Sequence, residues 1–313
     1  MDAILLENLS KTYPGGKQAV RHLSFSLHPG EVFGFLGPNG AGKTTTVKLL
    51  TGMLAPSEGS CRILGFHPTW EPQKVHACSG VVTEHAQMYD HMTGMQNLQF
   101  YASVFGLSRQ QANQRAEALL EQLELKDAGN QKLSTYSTGM RQRLSLARAL
   151  IHKPRVLFLD EPTSGLDPES VQKVNGLIQN LAKEEGVTVF LCTHQLRYAQ
   201  EICTRYGLME QGKLLAVGTL DELQKRVCPG MILQICAADM PKQLPFLSKG
   251  EGIYETRIES EKEIPELIRS IVAGGGDIYE VIAKKPSLEE VYCHLFSCVP
   301  FTLCRMTRIF RTF

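Results

Sequence analysis

Three short apolar runs punctuate the chain: Val32-Phe33-Gly34-Phe35-Leu36, Val156-Leu157-Phe158-Leu159 and Val187-Thr188-Val189-Phe190-Leu191-Cys192. They show no polar alternation and are rich in β-branched and aromatic residues, so each predicts a strand buried on both faces. Helical spacing accompanies them over 43–54, where Val47, Leu50 and Met53 share a face, and over 168–185 and 195–204. Strands alternating with helices predict a parallel sheet covered on both sides. From about 88 to 152 the pattern turns helical throughout. Leu98, Tyr101, Ala102 and Phe105 line one face, and Ala116, Leu119, Leu120 and Leu123 the next, which predicts a helical insert.

Residues 209–217 read as a hairpin around Gln211-Gly212, after which Thr219 caps a helix through about 227. Short strands at 231–237, 253–259 and 279–284, with a helix near 263–273, then predict a small α+β domain. The expected organisation is an α/β domain over 1–227 with its insert at 88–152, an accessory domain over 228–296 and a tail over 297–313. That tail carries Arg305, Arg308 and Arg311 among apolar residues and no acid after Glu290. A frayed terminus is the preferred expectation, ahead of an amphipathic helix lying on an anionic membrane.

Composition sharpens this by exclusion. The 313 residues carry 21% charged side chains and a formal net charge of +1, so no chain-wide field attracts nucleic acid. Anion binding must be local. Nine cysteines, scattered and without a C-x-x-C pair, predict reduced thiols rather than a disulfide framework or a metal knuckle. No uncharged apolar run approaches the ~20 residues of a membrane span, and Met1 to Glu7 lack the basic and apolar regions of a secretory signal. The chain alone is not expected to cross a bilayer.

The local anion site is explicit. Gly37-Pro38-Asn39-Gly40-Ala41-Gly42-Lys43-Thr44-Thr45 satisfies G-x-x-x-x-G-K-[ST] between a predicted strand and a predicted helix. Glycines let backbone N–H groups wrap phosphates, Lys43 neutralises their oxygens, and the Thr44 hydroxyl suits Mg²⁺. Asp160 and Glu161 close the second buried strand, where one carboxylate holds Mg²⁺ through water and the next orients or deprotonates an attacking water. Downstream of the phosphate loop and before these acids, Tyr136-Ser137-Thr138-Gly139-Met140-Arg141-Gln142-Arg143 is a small-residue turn opening a basic helix, a second place for an anion. His194 after a strand and Tyr13 beside Pro14-Gly15-Gly16 read in isolation as an ordinary loop histidine and turn aromatic.

With these residues in this order, the chain resembles the ATPase subunit of an ATP-binding cassette (ABC) transporter over residues 1 to about 225. Gly37–Thr44 is similar to that family's Walker A motif, Val156–Asp160 with Glu161 to its Walker B motif and catalytic glutamate, Ser164-Gly165-Leu166-Asp167 to its D-loop, and His194 to its switch histidine. Tyr136–Met140 takes the place of the signature motif, with Ser137 and Gly139 kept and Thr138 and Met140 replacing a glycine and a glutamine. Glu84 stands where the family usually has a glutamine facing the metal or water. The resemblance implies a P-loop NTPase cassette, a mostly parallel sheet core with an antiparallel β part and helical insert, followed by the small α+β domain. It also implies ATP and Mg²⁺ as ligands, with Tyr13 stacking on adenine and Thr44, Glu84 and Asp160 around the metal.

The resemblance further implies that Ser137, Gly139 and Asp167 act across a dimer of this chain or with a paired subunit. An integral-membrane permease is the implied partner, placing the chain peripherally at the cytoplasmic face of the cell membrane. Pro286-Ser287-Leu288-Glu289-Glu290-Val291-Tyr292 resembles the closing segment of bacterial two-component exporter ATPases, and the same residues encode a Ser-capped helix start. The alternatives are a soluble cassette acting on ribosomes or DNA, disfavoured by the neutral charge, and a non-hydrolysing regulatory cassette, disfavoured by intact Lys43, Asp160, Glu161 and His194.

Overall fold

The computed structural model describes residues 2–83, 88–227 and 229–296. The expectations for Glu84 and for 297–313 fall outside these residues. Two units divide between Val217 and Gly218.

The first unit runs β1 (Ile4–Thr12), β2 (Gln18–Leu27), β3 (Val32–Leu36), α1 (Lys43–Leu50), β4 (Glu58–Ile63), α2 (Pro72–Cys78), β5 (Ser79–Val82), α3 (Gly94–Val104), α4 (Arg109–Gln122), α5 (Thr138–Leu150), β6 (Val156–Asp160), α6 (Pro168–Glu184), β7 (Thr188–Thr193), α7 (Leu196–Ile202), β8 (Arg205–Glu210) and β9 (Lys213–Gly218). The central sheet has the order β5-β6-β7-β3-β8-β9, and β5, β6, β7, β3 and β8 pair in parallel. All five residues of β3, all five of β6 and all six of β7 are buried, as their unbroken apolar character requires. The hairpin at Gln211-Gly212 has φ of 46° and 83°, the left-handed pair that matches the twist of the flanking strands.

A second, antiparallel sheet of order β2-β1-β4 packs its apolar face into the same core. Phe25 of β2 joins Phe33, Phe35, Phe158 and Phe190 in a cluster with ring centroids 5.2–6.5 Å apart. Burying each such ring contributes roughly 1.5–3 kcal/mol. Helix α1 stops before the 54 expected from spacing. Gly52 takes a left-handed φ of 74°, and Met53 beyond it is 62% exposed. Just before α2 lies Trp70, the only tryptophan in the sequence, 77% exposed and stacked on His67 with centroids 3.9 Å apart.

From 88 to 152 the described residues form α3, α4, a short 3₁₀ turn at Leu133–Thr135 and α5. Capping boxes start α3 (Thr93 with Gln96) and α4 (Ser108 with Gln111), each satisfying two otherwise orphaned donors. Of the predicted inward faces, Leu98, Ala102, Ala116, Leu119, Leu120 and Leu123 are buried, while Tyr101 and Phe105 are only half-buried.

The second unit contains α8 (Leu220–Val227), β10 (Met231–Ala238), β11 (Leu247–Gly250), β12 (Ile253–Ile258), α9 (Ile264–Ala273), β13 (Asp277–Lys284) and α10 (Leu288–Phe296). Its sheet, of order β11-β12-β10-β13, is antiparallel, with Leu233, Ile235, Ala237, Ile258 and Ile271 in a separate core. Ser287 caps α10, its hydroxyl accepting from the Glu290 N–H at 3.2 Å while the Glu290 carboxylate accepts from the Ser287 N–H. The division lies earlier than the expected Val227 because α8 belongs to this unit: Gln224 Nε2 donates to the Pro286 carbonyl, and Lys285 pairs with Asp221 at 2.8 Å.

Candidate active site

Parallel register sets the ends of three strands side by side. Leu36 of β3 pairs with Thr193 of β7, and Asp160 of β6 with Cys192. From this edge the chain turns into the glycine loop, whose glycines have steric reasons. A Cβ on Gly37 would lie 2.3 Å from the Met209 carbonyl oxygen, and one on Gly42, where φ is 111°, 2.2 Å from that of Ala19. Buried Lys43 donates from Nζ to the carbonyls of Gly37 at 2.7 Å and Pro38 at 3.1 Å, which folds the loop around its ammonium. Helix α1 begins there with no acid in its first turn, so its N-terminal dipole favours an anion.

The Thr44 hydroxyl donates to Asp160 Oδ2 at 2.8 Å, joining the start of α1 to the end of β6. Both contribute oxygen, the donor type that suits a hard cation such as Mg²⁺. Glu161 follows with a left-handed φ of 49°, a conformation that costs a non-glycine residue about 1–2 kcal/mol. Its neighbours hold it there. Its N–H donates to the Cys192 carbonyl at 2.9 Å, and its carboxylate accepts from Thr193 Oγ1 at 2.9 Å, from the His194 N–H at 3.0 Å and from His194 Nδ1 at 2.7 Å. The carboxylate is thereby aimed, while the His194 ring stays 53% exposed beside it. Burial pushes the neighbouring Cys192 thiol well up, which leaves it unreactive.

A cavity of about 190 Å³ brings together Tyr13, Asn39, Gly40, Gly42, Lys43, Thr44, Thr45, Asp160 and Glu161. The Tyr13 hydroxyl lies 3.4 Å from Thr45 Oγ1, and the Lys11 ammonium sits 5.9 Å from the Tyr13 ring centre. Gly37, Pro38 and Ala41 shape the loop without lining the cavity, and His194 reaches it through Glu161. Sequence reasoning missed Lys17 and Ala19, which line it, and Thr193, which aims Glu161. Lys17 and Ala19 directly follow the Tyr13–Gly16 turn, the signal that marked Tyr13 and was not extended.

Ser137, Gly139 and Asp167 do not line this cavity. Ser137 caps α5, accepting from the Met140 N–H at 3.2 Å, and Asp167 caps α6, accepting from the Ser170 N–H at 2.9 Å and hydroxyl at 2.7 Å. Those two bonds hold the Asp167 carboxyl below the usual carboxylate range. A Cβ on Gly139 would lie 3.4 Å from Leu166 Cδ2, so these residues form a neighbouring cluster of their own.

A glycine loop between strand and helix, with an acidic pair at the end of a parallel strand of the same sheet, one strand removed from it, defines a P-loop nucleoside triphosphatase. The sequence matches the ABC transporter family model over residues 20–164. It is 40% identical to the doxorubicin resistance ATP-binding protein DrrA of Mycobacterium tuberculosis, over 93% of this chain and 92% of that protein. It is 31% identical to the bacitracin transport ATP-binding protein BcrA of Bacillus licheniformis, over 92% and 95%. The solved dimeric structure of the ATP-binding cassette MJ0796, in a post-hydrolysis state bound to ADP and Pi, superposes with a TM-score of 0.65 at 26% identity, over 69% of this chain and 98% of that one. The chain belongs to the ATP-binding proteins of ABC transporters, and is an ATPase that powers transport. Subunits of this kind dimerise and work with membrane permeases.

Proposed function

We propose that this chain drives export through a separate integral-membrane permease, as one of two ATPase subunits at the cytoplasmic face of the membrane. The observation that carries the reading is the convergence of Lys43, Thr44, Asp160, Glu161 and His194 where β3, β6 and β7 end together. Relatives named for doxorubicin resistance and bacitracin transport support the direction. Among the described residues no helix is long and apolar enough to cross a membrane, which agrees with a path for cargo in another chain.

In this reading ATP lies along the cavity with its adenine on Tyr13 and its phosphates in the glycine loop. Lys43 exchanges its loop carbonyls for phosphate oxygens. Thr44 and Asp160 would hold Mg²⁺, which when bound neutralises charge on the β and γ oxygens. Glu161 orients the attacking water and accepts its proton, and His194, already on the Glu161 carboxylate, contacts the γ-phosphate. Ser137 and Gly139 complete the phosphate site of the paired subunit, and Asp167 lies along the same junction. The permease docks around 84–98, expected at the junction of sheet and helical insert; among the described residues there, Tyr89 is 47% exposed and meets the half-exposed ring of Phe100 edge-on with centroids 5.1 Å apart.

The decisive experiment is the Glu161→Gln protein with saturating Mg-ATP, which is expected to dimerise. A monomer under those conditions overturns the reading. Ser137→Arg is expected to abolish hydrolysis while ATP still binds. Phosphate release by wild type should exceed that of Lys43→Ala, and equal rates would mark an inert cassette.

A further inference from the structure

Gln142 lies in the first half of α5, on the helix that Ser137 caps, and its side chain is buried. Its Nε2 donates a 3.0 Å hydrogen bond to the carbonyl of Pro162. Pro162 directly follows Glu161, whose left-handed backbone persists only where its surroundings fix it. Proline has no N–H, so the carbonyl is the main-chain group through which that residue can be anchored. Two further contacts press the same loop against the same helix. Thr138 Cγ2 is 3.0 Å from the position a Cβ on Gly165 would take, and Leu166 approaches Gly139. On the opposite flank Glu161 is bonded to Cys192, Thr193 and His194. The loop from Glu161 to Asp167 is therefore held from two sides, by β7 with the turn after it and by α5.

We propose that Gln142 is a positioning residue for hydrolysis: its amide fixes the Pro162 carbonyl, and through it the backbone and carboxylate of Glu161. The helix that presents Ser137 and Gly139 is thereby tied to this chain's own catalytic carboxylate. A shift of α5 is passed to Glu161 through this hydrogen bond, with the contacts of Thr138 and Gly139 moving the rest of the loop alongside. This second statement rests on the proposed pairing, in which Ser137 and Gly139 serve the other subunit's ATP. Engagement of one ATP then adjusts the carboxylate acting on the other.

Two substitutions in the full-length chain test this, with steady-state hydrolysis measured across ATP concentration and thermal unfolding as the check on folding. Leucine matches the size of Gln142 and donates nothing. A glutamate donates to Pro162 only when protonated, and burial favours that form. Nearby charges on α5 are Arg141, paired with Asp90, and Arg143, paired with Glu124, and the loop contributes Glu161. In Gln142→Leu, kcat is expected to fall about tenfold to a hundredfold with KM held within about twofold, the signature of a misplaced catalytic group rather than lost binding. Gln142→Glu should be comparably impaired near about pH 8 and regain activity relative to wild type toward about pH 6, as its carboxyl protonates. A Gln142→Leu protein with kcat within about twofold of wild type overturns the proposal. So does a Gln142→Glu protein with wild-type kcat near about pH 8, where an ionised carboxylate accepts and cannot donate, which decides the matter even if the leucine variant does not fold. A Glu161→Gln protein that stays monomeric with Mg-ATP, Gln142 being intact, overturns the pairing and the link between sites, while the two Gln142 variants still decide the role in hydrolysis.

Discussion

Thr44 and Asp160 join the start of α1 to the end of β6 through one hydroxyl and one carboxylate oxygen. The hydroxyl reaches the carboxylate from the first turn of α1, at 2.8 Å. Thr44→Val keeps the shape and removes the hydroxyl that donates to the buried Asp160 carboxylate and supplies an oxygen for the metal. ATP hydrolysis by Thr44→Val is expected to fall about a hundredfold, with Lys43 still holding the phosphates so that binding of labelled ATP weakens far less. A variant hydrolysing at the wild-type rate would remove Thr44 from the metal site. Tyr13 makes a gentler prediction: Tyr13→Ala should raise KM for ATP severalfold with little change in kcat, because stacking contributes equally to ground and transition states.

Among the elements, β5 shows how tightly the helical insert is fitted to the sheet. A Cβ on Gly80 would lie 2.3 Å from the Ala149 carbonyl of α5. Gly80→Ala must push that helix away, and should destabilise the protein by about 1–3 kcal/mol in urea unfolding. Phe190, fully buried among four other rings, should cost about 3–5 kcal/mol when cut to alanine. Helix α8 offers a pH handle. Lys225 and Lys285 bring the Asp221 carboxyl down to about 2 through hydrogen bonds and charge. A depressed carboxyl contributes stability above its unfolded value and loses it as pH falls through the folded one, so the effect lies between about pH 4 and about pH 2. Asp221→Asn should flatten the acid limb of stability in that window. High salt should do the same, since these side chains are half exposed.

The elements differed in how readily they could be read. Strands β3, β6 and β7 announced themselves because a strand buried on both faces has no polar interruptions. Strands β1 and β2 did not. Asn8 and His22 carry left-handed φ of 50° and 47°, and the register slips around Leu9, so the alternation that marks a half-buried strand is broken in the sequence itself. Lys43, Thr44, Asp160 and Glu161 were legible because their chemistry depends on local spacing. Thr193 and Gln142 were not, because their partners lie on other elements and only the fold brings them within reach.

On the scale of the molecule, the two units keep separate apolar cores, one around the phenylalanine cluster and one around Leu233 and Ile258. Calorimetry of the full chain should therefore resolve more than one unfolding transition, and Mg-ATP should raise the one that belongs to the P-loop unit. A single transition that moves as a whole would show the units to be one cooperative body. The placement of Trp70 decides which optical method can follow such events. The chain's only indole sits in water on the turn before α2, against His67, and is not part of the cavity lining. Exposed and away from the cavity, it should emit at the long wavelength of a hydrated indole, and a titration followed by intrinsic tryptophan light is expected to change little while nucleotide fills the loop. A labelled nucleotide, or a tryptophan placed at Tyr13, is the reporter this molecule requires.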